Sequence, residues 1–228
     1  MANCVILASG TGTNARAIAT DPRISDNIAA IVSDRRKSPV LSWAHDSDFP
    51  AIHVDCRAED RAVADERLVN AVARTGADFV VLAGFMRILG PRFIEAYSHR
   101  IVNIHPSLLP SYPGLHAIER SWEAGESRLG VTVHEVDQGV DTGPILAQAA
   151  ILRRHVSTLS ELYTCIHAIE HAMYPEIVAQ VLAGDKHDCR GGESLSECIN
   201  GIRIREALPQ NAELVYPTPY NSTSRRML

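Results

Sequence analysis

Over the first hundred residues, apolar runs and helical patterns alternate without interruption, and this alternation restricts the fold more than any other feature of the chain. Val5, Ile6 and Leu7 form a buried-strand run within Asn3 to Ser9 that ends abruptly in SGTGTN. Ile28 to Ser33 reads as the next strand, Pro39 to Ser47 as a helix and Ala51 to Val54 as a short strand. Arg61 to Arg74 carries Ala64, Leu68, Ala71 and Val72 on one helical face. Phe79 to Ala83 and Ile101 to His105 are further strands, separated by a short helix, Pro91 to Tyr97, that opens on proline. Strands joined through helices pair in parallel and are buried on both faces. The expected fold class is therefore α/β: a Rossmann-like, mostly parallel twisted sheet with helices on both sides.

The second half follows a looser rhythm. A helix is expected around Ala117 to Ala124, and strands over Gly130 to Val136 and Pro144 to Leu152 should extend the sheet. Thr158 to Leu182 is the longest helical stretch, with Leu159, Leu162, Ile166, Ile169, Met173 and Ile177 at spacings of three and four. Pro175 is expected to kink or restart it. Beyond Gly184 the texture changes to Gly, Ser and charge, with a hairpin pattern near Ile202 to Ile204 and a disordered-looking end from Pro217. Residues 1–184 are thus expected to form one domain, and 185–228 a partly irregular C-terminal extension with no domain of its own.

Composition narrows the partners. A formal charge of −5 over 228 residues supplies no large positive field, which argues against nucleic acid and against a polybasic membrane anchor. No apolar run approaches the roughly 20 residues that span a bilayer. The five cysteines are scattered without a CxxC pair, so free thiols in a reducing, cytoplasmic setting are expected. Small molecules are the default partners.

Chemistry concentrates in IVNIHPSLLP (Ile101 to Pro110), where Asn103 and His105 share one face of a strand that two prolines then terminate. A hydrogen-bonding amide and a titrating imidazole at a strand end are candidates for catalysis. TVHEVDQGVDTG (Thr132 to Gly143) offers Asp137 and Asp141. Either carboxylate, if its strand lies beside Ile101 to His105, would stabilise an imidazolium and hold its orientation.

Ser9 to Asn14 joins a strand to a helix, so the N–H groups of Gly12, Thr13 and Asn14 form an anion site suited to phosphate. The same loop fits G-x-G-x-x-A through Gly10, Gly12 and Ala15, with Asp34 ending the next strand and Arg35, Arg36 and Lys37 after it. An NADP-dependent oxidoreductase is the rival reading of that pattern. HAIEH (His167 to His171) matches a zinc-protease motif, but it lies along the buried stripe of its helix with no third ligand following, and no metal is expected.

Taken together and in order, VILASGTGTNARAI, VVLAGFMRIL, IVNIHPSLLPSYPGLHA, GVTVHEVDQGVDTGPIL and EHAMYP resemble the folate-dependent glycinamide ribonucleotide formyltransferases of purine synthesis. The resemblance implies that Asn103, His105 and Asp141 are the catalytic trio and that 10-formyltetrahydrofolate is the co-substrate. It implies that Gly12, Thr13 and Asn14 hold the substrate phosphate, with His167 and Glu170 along its ribose and glycinamide part. Met86, Arg87, Ile88 and Leu89, with Asp137, Gln138, Gly139 and Val140, are implied to form the pterin pocket, and Arg61 to meet the folate tail. Thr13 replaces the serine more usual in the loop, and Ser111 a lysine found in some members. NIHPSLLP and DTG are shared with other enzymes that use 10-formyltetrahydrofolate, so another such transferase or a hydrolase is the nearest alternative. A hydrolase would be expected to carry an extra N-terminal domain, and a tRNA formyltransferase a basic C-terminal one. Monomer and homodimer both stay open.

Overall fold

The computed structural model describes residues 2–57, 61–184, 195, 199, 204–205 and 207–215. Its strands are β1 (Cys4–Leu7), β2 (Ile28–Ser33), β3 (Ala51–His53), β4 (Phe79–Leu82), β5 (Ile101–His105), β6 (Arg128–Glu135), β7 (Ile145–Leu152) and β8 (Ala212–Val215). They form one sheet in the order β3-β2-β1-β4-β5-β6-β7-β8. The helices are α1 (Thr13–Ala19), α2 (Pro39–Asp46), α3 (Arg61–Ala73), α4 (Pro91–Ala96), α5 (Ala117–Glu123) and α6 (Leu159–Ala183). From β3 to β5 all pairs are parallel, as the alternation requires. From β5 onward they are antiparallel; for β6 and β7 the nine residues between them are too few for a crossover.

Strand order reverses at β1, which lies between β2 and β4. The loops leaving β1 and β4 therefore diverge to opposite sides and open a crevice at the carboxyl ends of the strands, where ligands bind in such sheets.

Alternation along each strand separates two cores. Cys4, Ile6, Val81, Val102, Ile104, Val131 and Val133 pack on one face with α1 and the stripe Leu162, Ile166, Ile169, Met173 and Ile177 of α6. Val5, Leu7, Val80, Leu82 and Ile101 pack on the other with Ala64, Leu68 and Val72 of α3 and Phe93 of α4. Asn103 and His105 share the face of Ile101, beyond the reach of α3 and α4. Their cross-strand partners are His134 and Thr132, and Thr132 is in turn opposite Gln148. One face of β5, β6 and β7 is thus polar.

The segment after β5 covers part of this face. Thr132 Oγ1 donates to Ser107 O at 2.6 Å and accepts from Leu109 N at 3.0 Å, while Gln148 Nε2 donates to Leu109 O at 2.8 Å. Buried polar groups here are satisfied by a loop backbone instead of a helix.

α6 begins with a cap: Thr158 Oγ1 accepts from Glu161 N at 3.1 Å, and Glu161 Oε2 accepts from Ser157 N at 2.8 Å. The expected restart at Pro175 is not found; the helix runs unbroken to Ala183. Burial of every residue from Met173 to Leu182 holds this turn in place despite the missing proline N–H. Tyr174 anchors α6 to the sheet, its hydroxyl lying 2.8 Å from Leu82 O and 3.1 Å from Val102 O.

The extension contributes a strand that the sequence did not suggest. β8 pairs with β7, reinforced by Arg128 to Glu213 at 2.6 Å. Of the hairpin near Ile202 to Ile204, residues 202 and 203 lie outside the described residues. Ile204 itself is buried, and its carbonyl accepts from Leu208 N in a helix-type bond. The end from Pro217 is also outside them.

Candidate active site

The loop from Ser9 to Asn14 turns sharply at Gly12, whose φ of 73° is left-handed and whose absent Cβ would overlap the Val40 side chain. Glycine is required there on both counts. The turn aims the free N–H groups of the first turn of α1 into the crevice.

The Asn14 amide points to the side of the loop, donating from Nδ2 to Glu170 Oε2 at 3.1 Å. The same oxygen lies 3.0 Å from His167 Nδ1. The candidate phosphate loop and the candidate ribose residues, separated by about 150 positions in sequence, are thus tied through one carboxylate. Its hydrogen bond to His167 raises that imidazole's pKa against the opposing effect of burial. His171 stacks on His167 with ring centroids 6.2 Å apart.

Ser9 links the glycine loop to the segment after β4. Its hydroxyl donates to Asp34 Oδ1 at 2.6 Å and accepts from Met86 N at 2.9 Å. Asp34, which a dinucleotide reading reserves for a ribose, is therefore engaged inside the protein. Arg61 Nη2 donates to Ile88 O at 3.4 Å and Arg87 Nη1 to Cys56 O at 3.1 Å, while Leu89 is buried. Met86 and Ile88 are 57% and 60% exposed, and Val140 in the other implied folate segment is 50% exposed. Apolar side chains left open beside a crevice suit a flat organic ring.

The histidine and carboxylate meet because the segment after β6 folds back over the polar face. Asp141 adopts a left-handed φ of 55°, which brings its Oδ2 to 3.3 Å from His105 Nδ1. Gly114 N donates to the same oxygen at 2.7 Å. Asp137, the other candidate, is spent within its own turn, accepting from Gly139 N at 2.9 Å and Thr142 Oγ1 at 2.7 Å. His105 Nε2 lies 2.9 Å from Tyr112 O. Both ring nitrogens thus face acceptors, an arrangement that an imidazolium satisfies with its two N–H groups.

A further histidine went unnoticed in the sequence. His134 is buried opposite Asn103, with Nε2 3.2 Å from Asn103 Nδ2 and 3.6 Å from Asp141 Oδ1. Its Nδ1 lies 2.6 Å from Glu135 O and so carries the proton. With Nδ1 held by that carbonyl, Nε2 is fixed beside both the Asn103 amide and the Asp141 carboxylate, and the ring sets the direction of the amide. The pairing of a polar residue in TVHEV with Asn103 was the available signal, but it required the strand register. His134→Ala should lower kcat about 10-fold through a loosened Asn103, with substrate KM values unchanged in steady-state kinetics.

Burial pushes the Asp141 carboxyl pKa up, but the adjoining His134, the Gly114 N–H and the charge of His105 outweigh it and hold the group at about 2. A depressed carboxylate contributes stability that is full above its unfolded range and lost as pH falls through the folded value. The melting-temperature advantage of the unaltered chain over Asp141→Asn should therefore be largest above about pH 4 and vanish towards pH 2 in thermal scans across that range.

A histidine–carboxylate pair and an amide thus meet at a strand end, on the same sheet as the candidate anion loop. A family model described as formyl transferase matches residues 2–178, and the chain belongs to that family. The relatives specify the branch. Phosphoribosylglycinamide formyltransferase of Bacillus subtilis is 35% identical over 186 residues, covering 80% of this chain and 95% of the relative. The crystal structure of phosphoribosylglycinamide formyltransferase from Bacillus halodurans superposes with a TM-score of 0.75 at 40% identity, covering 79% of this chain and 95% of that one. A 185-residue stretch is 37% identical to part of the trifunctional purine biosynthetic protein adenosine-3 of Drosophila melanogaster, 14% of whose length it covers. The oxidoreductase reading of the glycine loop is thereby set aside. No helix among the described residues is long and apolar enough to cross a membrane.

Proposed function

We propose that this chain transfers the formyl group of 10-formyltetrahydrofolate to the amine of glycinamide ribonucleotide, a step of de novo purine synthesis. The observation that carries the reading is the buried His105 held against Asp141 on a polar sheet face, in a chain of this family. Folate supplies the one-carbon unit at the formyl oxidation level. The new bond joins the substrate nitrogen to the formyl carbon, the bond from that carbon to the folate nitrogen breaks, and one proton passes from the first nitrogen to the second.

The protein's part is electrostatic and positional. Asn103 and protonated His105 donate to the formyl oxygen as it gains charge, His105 exchanging its bond to Tyr112 O for that contact. Asp141, held ionised, serves as a fixed negative charge beside the imidazolium. With a pKa of about 2 it is too weak a base to keep the travelling proton, which water beside it relays. A cavity of about 190 Å³ lined by Leu109, Pro110, Pro113, Val140 and Asp141 has room for that water.

Gly12, Thr13 and Asn14 take the phosphate, and His167 and Glu170 the ribose and glycinamide. Met86 to Leu89 and Asp137 to Val140 flank the pterin, with Arg61 towards the folate tail. Residues 1–184 form the catalytic unit in this reading, and 185–228 an extension whose strand Ala212–Val215 borders β7.

An absorbance assay of formyl transfer from a 10-formyl folate analogue tests the proposal. Product formed only with glycinamide ribonucleotide is the expected result. Formate released without it would instead indicate a hydrolase.

A further inference from the structure

Between β5 and α5, the residues Tyr112 to Leu115 touch both members of the candidate pair. Tyr112 O faces His105 Nε2 at 2.9 Å, and Gly114 N donates to Asp141 Oδ2 at 2.7 Å. This is a costly backbone path at two residues, since Tyr112 and His116 have positive φ, at 57° and 59°, while Gly114 takes its 77° without strain. Something must hold it, and Arg120 of α5 makes the required contacts. Its Nη1 donates to Pro113 O at 2.7 Å and Leu115 O at 3.1 Å, and its guanidinium carbon lies 5.6 Å from the Tyr112 ring centroid. The Tyr112 hydroxyl is in turn tied to Glu126 Oε1 at 2.6 Å.

The geometry has a specific consequence. Pro113 C=O and Gly114 N–H are the two ends of one peptide unit, which is planar and points them in opposite directions. Arg120 grips the oxygen end, and Asp141 receives the hydrogen end. A cation on the carbonyl also polarises the peptide, strengthening its N–H as a donor to the carboxylate.

We propose that Arg120 is a positioning residue for Asp141, acting across the Pro113–Gly114 peptide, and so determines how the carboxylate presents itself to His105. The proposal rests on the reading of Asp141 as the catalytic carboxylate. The contacts of Arg120 with this path are confined to Tyr112, Pro113 and Leu115, so its removal should loosen this segment while the sheet stays folded, and its effect should appear in turnover.

Arg120→Ala is expected to lower kcat about 10-fold, short of the roughly 100-fold loss that a 1 Å misplacement can cause, with the ribonucleotide KM unchanged. Arg120→Lys, which restores a cation but not the fork, should recover part of the rate. The amide proton of Gly114, observed by nuclear magnetic resonance in the full chain, should move upfield in Arg120→Ala as its bond to Asp141 lengthens. An unmoved Gly114 signal with native kcat overturns the proposal while leaving Asp141 in its role, provided Asp141→Asn is slow. A raised KM at native kcat overturns it too, by making Arg120 a substrate-binding group. If Asp141→Asn keeps its rate, the catalytic reading itself has failed and the positioning role falls with it, wherever the Gly114 signal lies.

Discussion

Asp141→Asn should lower kcat by about 100-fold to 1,000-fold, the range associated with loss of one preorganised electrostatic contact. The substitution preserves shape and keeps an oxygen for Gly114 N–H at the position now 2.7 Å away. What it removes is charge. His105 Nδ1, 3.3 Å from the carboxylate, would then face a neutral amide, and the imidazolium that donates to the formyl oxygen would lose its counter-ion. The ribonucleotide KM should change little, because the carboxylate's partners are His105, His134 and Gly114, none of them in the glycine loop. Steady-state kinetics with both substrates, alongside circular dichroism near neutral pH, would measure this. A folded variant turning over within a few-fold of the unaltered chain would remove Asp141 from the mechanism.

The second large effect is expected at the other end of the crevice. Thr13→Asp should raise the KM for glycinamide ribonucleotide by about 100-fold or more, since each hydrogen bond to a charged group contributes roughly 1.5–3 kcal/mol and a repelling carboxylate replaces one. Thr13 is the first residue of α1, directly after the left-handed Gly12, so its side chain stands among the N–H groups that would receive the phosphate. The folate KM should stay the same, because the hydrogen bonds that tie the segment after β4 to the loop fall on Ser9, four residues before Thr13. An unchanged ribonucleotide KM would move the phosphate elsewhere.

Much of this architecture could be read in the chain itself. Strand and helix positions through His105 follow from apolar periodicity, and a parallel arrangement follows from their alternation. The shared face of Asn103 and His105 needs only the strand period of two. Three features escaped such reading, each for its own reason. β8 is a four-residue strand whose pattern is too short to stand out, and it forms because the edge of β7 offers unpaired backbone. Pro175 looked like a break, yet tertiary burial on all sides outweighs one missing hydrogen bond. His134 was passed over because its importance lies in a cross-strand neighbour, which no local pattern names.

The choice between Asp137 and Asp141 shows the division most clearly. Four residues apart in one polar stretch, they are equivalent by composition and spacing, and only the family resemblance singles out Asp141. Only the fold-back of the segment after β6, with Asp141 at positive φ, sends one carboxylate to His105 and leaves the other closing a turn. By itself the sequence determined the α/β class, the candidate strand end with its histidine and amide, and the glycine loop, because these depend on periodicity and on residue type within a few positions. The tertiary structure supplied the path by which Asp141 reaches His105, and alone brought His134 beside Asn103 and Glu170 to Asn14, because each depends on register and loop path between distant segments.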